Sequence, residues 1–176
     1  LRSWGEGVFP RAHGITMAPD DTIFCTDDGD HTVRKCKLDG TVLFTVGTRG
    51  QSVPFMSGNP FNRCTHVAID PRNGDFYVSD GYGNSRIHKY SPDGTLLFSW
   101  GEAGTGPSQF NIPHNICTDK DGWVFLADRE NHRIQVFDSS GKFETQWINM
   151  ARPCGLYINQ ETERVYVGEL GPAIGA

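Results

Sequence analysis

One line of text recurs three times along this chain. "IFCTDDGDHTVRKCKLDGTVLFTVG" (23–47), "FYVSDGYGNSRIHKYSPDGTLLFSWG" (76–101) and "VFLADRENHRIQVFDSSGKFETQWI" (123–148) share one pattern. Asp27, Asp80 and Asp128 stand 53 and 48 residues apart, and Gly40, Gly94 and Gly141 follow them by 13, 14 and 13. A period of about 40–50 residues marks a propeller or solenoid array in which each repeat is one supersecondary unit. Each unit reads as four short antiparallel strands. The first is "ITMA", "VAID", "ICTD" or "LYIN", and the second, rich in β-branched and aromatic residues, is "TIFCT", "DFYVS", "WVFLA" or "RVYVG". A third such as "RIHKYS" follows a polar loop, and an Asp-Gly or Ser-Gly turn leads to a fourth such as "TLLFSWG". The 21 Gly and 10 Pro suit many short strands joined by tight turns.

The expected fold is therefore all-β: a propeller of four-stranded antiparallel blades at about 12–48, 64–102 and 113–149, with a half blade at 154–170. "RSWGEG" at 2–7 repeats "FSWGEA" at 98–103, so a lone fourth strand is expected ahead of the first blade, making 15 strands. A closed ring needs at least about 16, and repeats of this length usually come in sixes. Residues 1–176 thus read as about half of a six-bladed ring, with apolar blade faces such as Val165 and Tyr166 left open. Should the chain stand alone, an oligomer is the expected way to cover those faces.

A net charge of −5 argues against nucleic acid or an anionic membrane as partner, because both reward a basic surface. No apolar run approaches the roughly 18–20 residues of a membrane span, and no secretory leader is visible. The compartment is not legible. Five cysteines (25, 36, 64, 117 and 154) leave at least one unpaired. Cys25 and Cys36 fall on the two arms of the first hairpin; the alternative is that all five are small buried hydrophobes.

Aligning the repeats on Ile15, Val67, Ile116 and Leu156 places His13, Thr65, His114 and Cys154 at one equivalent position, just before an innermost strand. That position sits at the mouth of a propeller channel, so the two imidazoles can meet across it. Neutral imidazole is a common zinc ligand, and a catalytic zinc takes three protein ligands and keeps one position open. The alternative is that each histidine caps its strand by bonding a backbone carbonyl. His31 and His132 share a loop position that suggests a structural hydrogen bond. His88 falls on the exposed phase of its strand, and His66 is one residue out of phase with His13 and His114. In the loops after the second strands, "SDGYGNSR" carries Tyr82 and is one residue longer than its counterparts, while "ADRENHR" carries Arg129. A tyrosine at a channel mouth can act as base or acid beside a cation, and an arginine can hold a carboxylate bidentately. Asp80 and Asp128 recur too regularly for catalysis and are expected to accept backbone N–H bonds. Arg86 and Arg133 are expected to pair with that carboxylate or its neighbour. No nucleophile elbow, phosphate-binding loop or HExxH motif is present.

"DGYGNSRIHKYSPDG", "FSWGE…GPSQFNIPHNI" and "ADRENHRIQVF" resemble NHL-type β-propellers and, within them, the peptidyl-α-hydroxyglycine α-amidating lyases. The likeness runs from about Arg11 to Phe137 and includes the Tyr82 loop. It implies a six-bladed propeller whose catalytic zinc is held by three histidines, of which "AHGI" and "PHNI" supply His13 and His114. It further implies Tyr82 as the catalytic tyrosine, Arg129 as an active-site arginine, and the backbone carbonyl of Ile15 as a ligand of a structural calcium. The third histidine with its neighbouring aspartate would lie beyond Ala176, and another arginine before Leu1. Gly83, and Phe125 with Val136, stand where the family has cysteines of two disulfides, which points to a bacterial-type or intracellular relative. Two functions follow. One is a metal-dependent lyase cleaving the C–N bond of a small-molecule or peptide substrate with an α-hydroxylated N-acyl group; the other is a non-catalytic NHL scaffold.

Overall fold

The computed structural model describes residues 3–171; Leu1, Arg2 and residues 172–176 lie outside it. β1 (Ala12–Met17), β2 (Thr22–Asp27), β3 (Thr32–Lys37) and β4 (Val42–Val46) form one four-stranded antiparallel sheet in sequential order. β5 (His66–Ile69), β6 (Phe76–Asp80), β7 (Arg86–Tyr90) and β8 (Leu96–Trp100) form the second. A parallel ribbon of β9 (Glu102–Ala103) and β10 (Gln109–Phe110) precedes the third, made of β11 (Pro113–Thr118), β12 (Val124–Asp128), β13 (Arg133–Phe137) and β14 (Phe143–Trp147). β15 (Pro153–Asn159) and β16 (Arg164–Glu169) make a final two-stranded sheet. A single 3₁₀ turn at Arg129–Asn131 is the only helical element among the described residues, none of which forms a helix able to cross a membrane. The molecule is a β-propeller segment in which β1, β5, β11 and β15 lie side by side as innermost strands.

One expectation lies mostly outside the described residues, and one element was not expected. Of the lone strand expected ahead of the first blade, which the Trp4–Trp100 match ends at residue 4, only residues 3 and 4 are described; they carry no strand pairing, and residues 6–8 form a turn. Gly5 takes positive φ as its counterpart Gly101 does just after β8, and Val8 N–H closes a turn on the Gly5 carbonyl. The Trp4 ring lies against Gly40 as Trp100 lies against Gly141, and its indole donates to the Leu38 carbonyl at 3.0 Å. The β9–β10 ribbon has no counterpart in the sequence reading.

Both faces of a middle blade are buried, which is why strand alternation here separates two cores rather than core from solvent. Phe76 and Val78 face the first blade with Phe24, Val33 and Val46. Tyr77 and Ile87, on the opposite face, meet Phe110, Leu126 and Phe137 of the third. His88 is therefore fully buried, not exposed as its phase suggested. Its Nε2 lies 3.2 Å from Asp80 and its Nδ1 2.7 Å from the Ser99 hydroxyl. The recurrent turn glycines have a matching cause. Gly94 has φ +89°, and a Cβ there would stand 3.2 Å from the Phe44 ring of the preceding blade; Gly141 relates to Trp100 in the same way.

The three recurrent aspartates are fully buried. Asp80 accepts the Asn62 backbone N–H at 3.0 Å and Asp128 that of Asn111 at 2.7 Å, so each ties a second strand to the segment entering its own blade. Arg133 pairs with Asp128 at 2.8 Å. Arg86 does not pair with Asp80, whose oxygens are taken by Asn62, Asn84 and His88; its guanidinium turns to the Gly101 carbonyl.

Candidate functional site

At one end of the channel the entry residues of the innermost strands meet the loop after β6. Gly81 permits this meeting, since a Cβ at that position would lie 2.0 Å from the Pro113 carbonyl oxygen. The following residue, Tyr82, places its hydroxyl 3.1 Å from His13 Nε2 and 3.0 Å from His114 Nε2. The two imidazole centroids are 5.0 Å apart, edge to face. His13, His114 and Tyr82, predicted from separate repeats, are thus gathered at one point.

The far nitrogens determine what that point can do. His13 Nδ1 donates to the Thr65 carbonyl at 2.8 Å, and His114 Nδ1 donates to the Cys154 carbonyl at 2.7 Å. A carbonyl cannot donate, so in each neutral ring the proton sits on Nδ1 and the Nε2 lone pair faces Tyr82. The phenol has one hydrogen for two acceptors. One Nε2–Oη contact therefore lacks a proton, an arrangement that an added electrophile relieves. Burial, with Arg129 and His13 nearby, pushes the His114 pKa down to about 4, so its lone pair is free at neutral pH. A backbone carbonyl fixing Nδ1–H while Nε2 points into the site is the usual support of a metal-ligating histidine. Among the described residues no group of three or more His, Cys, Asp or Glu side chains gathers around a common point.

Arginines surround the tyrosine. The Arg129 guanidinium carbon lies 5.6 Å from the Tyr82 ring centroid and that of Arg63 lies 4.6 Å away. Arg129 Nε bonds Glu130 at 2.8 Å, and Arg152 takes the same carboxylate at 2.8 Å, holding Glu130 below the ordinary carboxylate range. Arg63 is the residue that the sequence reading missed. Its signal was available, because Arg11, Arg63 and Arg152 each stand two residues before His13, Thr65 and Cys154.

The other histidines sort by contact. His31 Nδ1 accepts the Arg63 backbone N–H at 3.0 Å and His132 Nδ1 that of Arg152 at 3.3 Å, so both link one blade to the next. His66 lies beside Gly14, whose Cβ would stand 2.5 Å from its Nδ1, and burial brings its pKa down to about 4. Ile15 sits on β1 opposite Cys25, its side chain 64% exposed in the channel. Below the histidines the innermost strands enclose an open concavity of about 840 Å³ lined by residues such as Met17, His66, Asn115 and Tyr157. All five cysteines are free thiols. Gly83 packs against Asn62, and Phe125 faces Val136 across β12 and β13.

The chain matches the model of the NHL repeat at residues 61–90 and 110–137. It is 39% identical over 153 residues to peptidyl-glycine alpha-amidating monooxygenase B of Xenopus laevis, covering 83% of this chain and 17% of that protein. Peptidyl-alpha-hydroxyglycine alpha-amidating lyase 1 of Drosophila melanogaster is 38% identical over 159 residues, 83% of this chain and 29% of its own length. Human NHL repeat-containing protein 3 is 37% identical over 159 residues, 85% of this chain and 45% of its own. The chain spans less than half the length of each of these relatives. Among solved structures, a chain of the nidogen/laminin complex superposes with a TM-score of 0.67 at 19% identity, over 90% of this chain and 56% of that one. Hydrazine synthase of Kuenenia stuttgartiensis superposes with a TM-score of 0.68 at 16% identity, over 96% and 44%; both support the fold alone.

Proposed function

We propose, for a chain that is an NHL-repeat propeller segment resembling the amidating lyases, that the histidine–tyrosine mouth is the active site of a metal-dependent lyase. The substrate is an N-acyl-α-hydroxyglycine, small or peptidyl, which splits into a primary amide and glyoxylate. The observation that carries this reading is the convergence of His13 Nε2 and His114 Nε2 on the Tyr82 hydroxyl, with both Nδ1 protons committed to carbonyls. That donor set suits zinc, with His13 and His114 as ligands from this chain and further ligands from outside it. Zinc bound there supplies Lewis acidity toward an oxygen of the substrate or of Tyr82.

The chain's own groups divide the remaining work. Arg129 sits beside the Tyr82 ring and is positioned to hold the substrate carboxylate. In its phenolate form, Tyr82 Oη receives the proton of the α-hydroxyl as the C–O⁻ lone pair collapses to C=O, and returning that proton to the leaving nitrogen restores the phenolate. The C–N bonding pair leaves on the amide nitrogen, which takes up a proton, so that atoms and charge balance without oxidant or reductant. Calcium on the Ile15 carbonyl is proposed as a structural ion only.

The test uses full-length protein purified without chelators. About one zinc per chain by elemental analysis is expected, lost in His114→Ala, together with release of benzamide and glyoxylate from α-hydroxyhippurate. Protein that is metal-free and inert toward that substrate would leave the propeller as a binding scaffold.

A further inference from the structure

We propose that Arg63 is a second anion-binding arm of this mouth, selecting substrates that carry another negative charge on the acyl side. The inference rests on the lyase reading for the identity of the first carboxylate, the one assigned to Arg129.

The argument begins with which charges are already satisfied. Arg11 grips Asp28 with two N–H groups, Nη2 at 2.8 Å and Nε closer still. Arg63 reaches the same carboxylate only through one Nη2 contact at 3.3 Å. Its Nε has no hydrogen-bond partner although it is buried, and its side chain remains 40% exposed at the mouth. On the other side Glu130 is shared by Arg129 and Arg152. Four guanidinium groups (Arg11, Arg63, Arg129 and Arg152) thus face two carboxylates, Asp28 and Glu130, in a chain whose net charge is −5. The nearby Asp27 and Asp80 are fully buried and bond backbone N–H groups, Asn84 and His88 rather than a guanidinium, so they leave the arginine N–H groups unoccupied.

Position adds to charge. Arg63 and Arg129 both lie against the ring of Tyr82, within 6 Å of its centroid, so both guanidinium groups stand beside the proposed reaction centre. The Arg63 backbone is held there with φ +63° and its N–H bonded to His31. A substrate with its glycine carboxylate on Arg129 therefore directs its acyl group toward Arg63. The exposed part of the Arg63 guanidinium, held by a single 3.3 Å contact, suits a carboxylate in that place.

Equilibrium titration with unreactive analogues tests this independently of turnover. The probes are N-succinylglycine, a dianion, and N-succinamoylglycine, in which a carboxamide replaces the second carboxylate. At low salt the wild-type chain should bind the dianion about tenfold more tightly, the scale of one partly exposed charge-assisted pair. The preference should shrink as salt rises. Arg63→Gln should abolish it, with most of the loss falling on the dianion, while Arg129→Gln should weaken both ligands alike. Arg63→Lys, which keeps the charge but not the fork, should retain part of the preference and guards against a folding defect in the glutamine variant. Equal affinities in the wild type, or a preference that survives Arg63→Gln, overturns the proposal. A failed lyase assay with an intact Arg63-dependent preference would instead remove only the catalytic reading.

Discussion

Tyr82→Phe separates chemistry from architecture at this site. The substitution keeps the ring, and with it the contacts to Arg63 and Arg129 at 4.6 and 5.6 Å. It removes a hydroxyl that lies near two acceptors but can donate to only one of them, at 3.0 or 3.1 Å. The structural loss is therefore a single hydrogen bond, about 1 kcal/mol, which for a domain of this size lowers Tm by about 2–4 °C. Both Nδ1–carbonyl bonds stay intact, so the histidines keep their orientation and metal content should be unchanged. The catalytic loss is of another order: removing a group that handles the proton in the transition state costs about 10²–10⁴ in kcat. Differential scanning calorimetry, elemental analysis and a coupled glyoxylate assay on one full-length preparation measure all three. Wild-type kcat in Tyr82→Phe would refute the assignment. Loss of metal in that variant would show that the tyrosine acts as a ligand the site cannot lack.

The remaining expectations concern the frame that carries the site. Phe76→Ala empties a position packed between Phe24 and Tyr90, with centroids at 4.8 and 5.1 Å, and should cost about 3–5 kcal/mol by urea unfolding. Phe55→Ala, at a side chain 70% exposed, should stay within about 0.5 kcal/mol and serves as its control. Asp128→Ala strands the buried Arg133 guanidinium and the Asn111 N–H, a loss of about 3–5 kcal/mol. Acid should weaken the fold through His66 and His114. Their folded pKa values near 4 lie below the unfolded value of 6.5, so the unfolded chain binds more protons between these limits. The stability they contribute is present above about pH 6.5 and is lost as pH falls toward 4. The urea midpoint should drop over that window and drop less in His66→Gln; an identical pH profile in that variant would refute the His66 share.

The fold was legible because its determinants repeat. Asp80 and Asp128 each accept the backbone N–H of the asparagine that enters their blade, Asn62 and Asn111, and the turn glycines answer to an aromatic ring of the preceding blade. What did not repeat was not legible. His88 looked exposed because alternation was read as core against solvent, whereas a middle blade is covered on both faces. Arg86 and Arg133 are in phase, but the acceptors around them differ, so one pairs with its aspartate and the other does not.

The candidate site follows the same logic one level down. His13 donates to the carbonyl of Thr65, and His114 donates to the carbonyl of Cys154. Each acceptor is the equivalent residue one blade onward, so the propeller repeat itself supplies the group that fixes the imidazole. A histidine at this position is oriented by the backbone of its neighbour whatever that neighbour's side chain is. Symmetry explains how two histidines from blades that do not adjoin come to aim at one point. It does not supply Tyr82 or Arg129, which sit in loops of unequal length, nor the lightly held guanidinium of Arg63. Those departures from the repeat are where specificity is placed, since an equivalent position in every blade cannot distinguish one end of a substrate from the other.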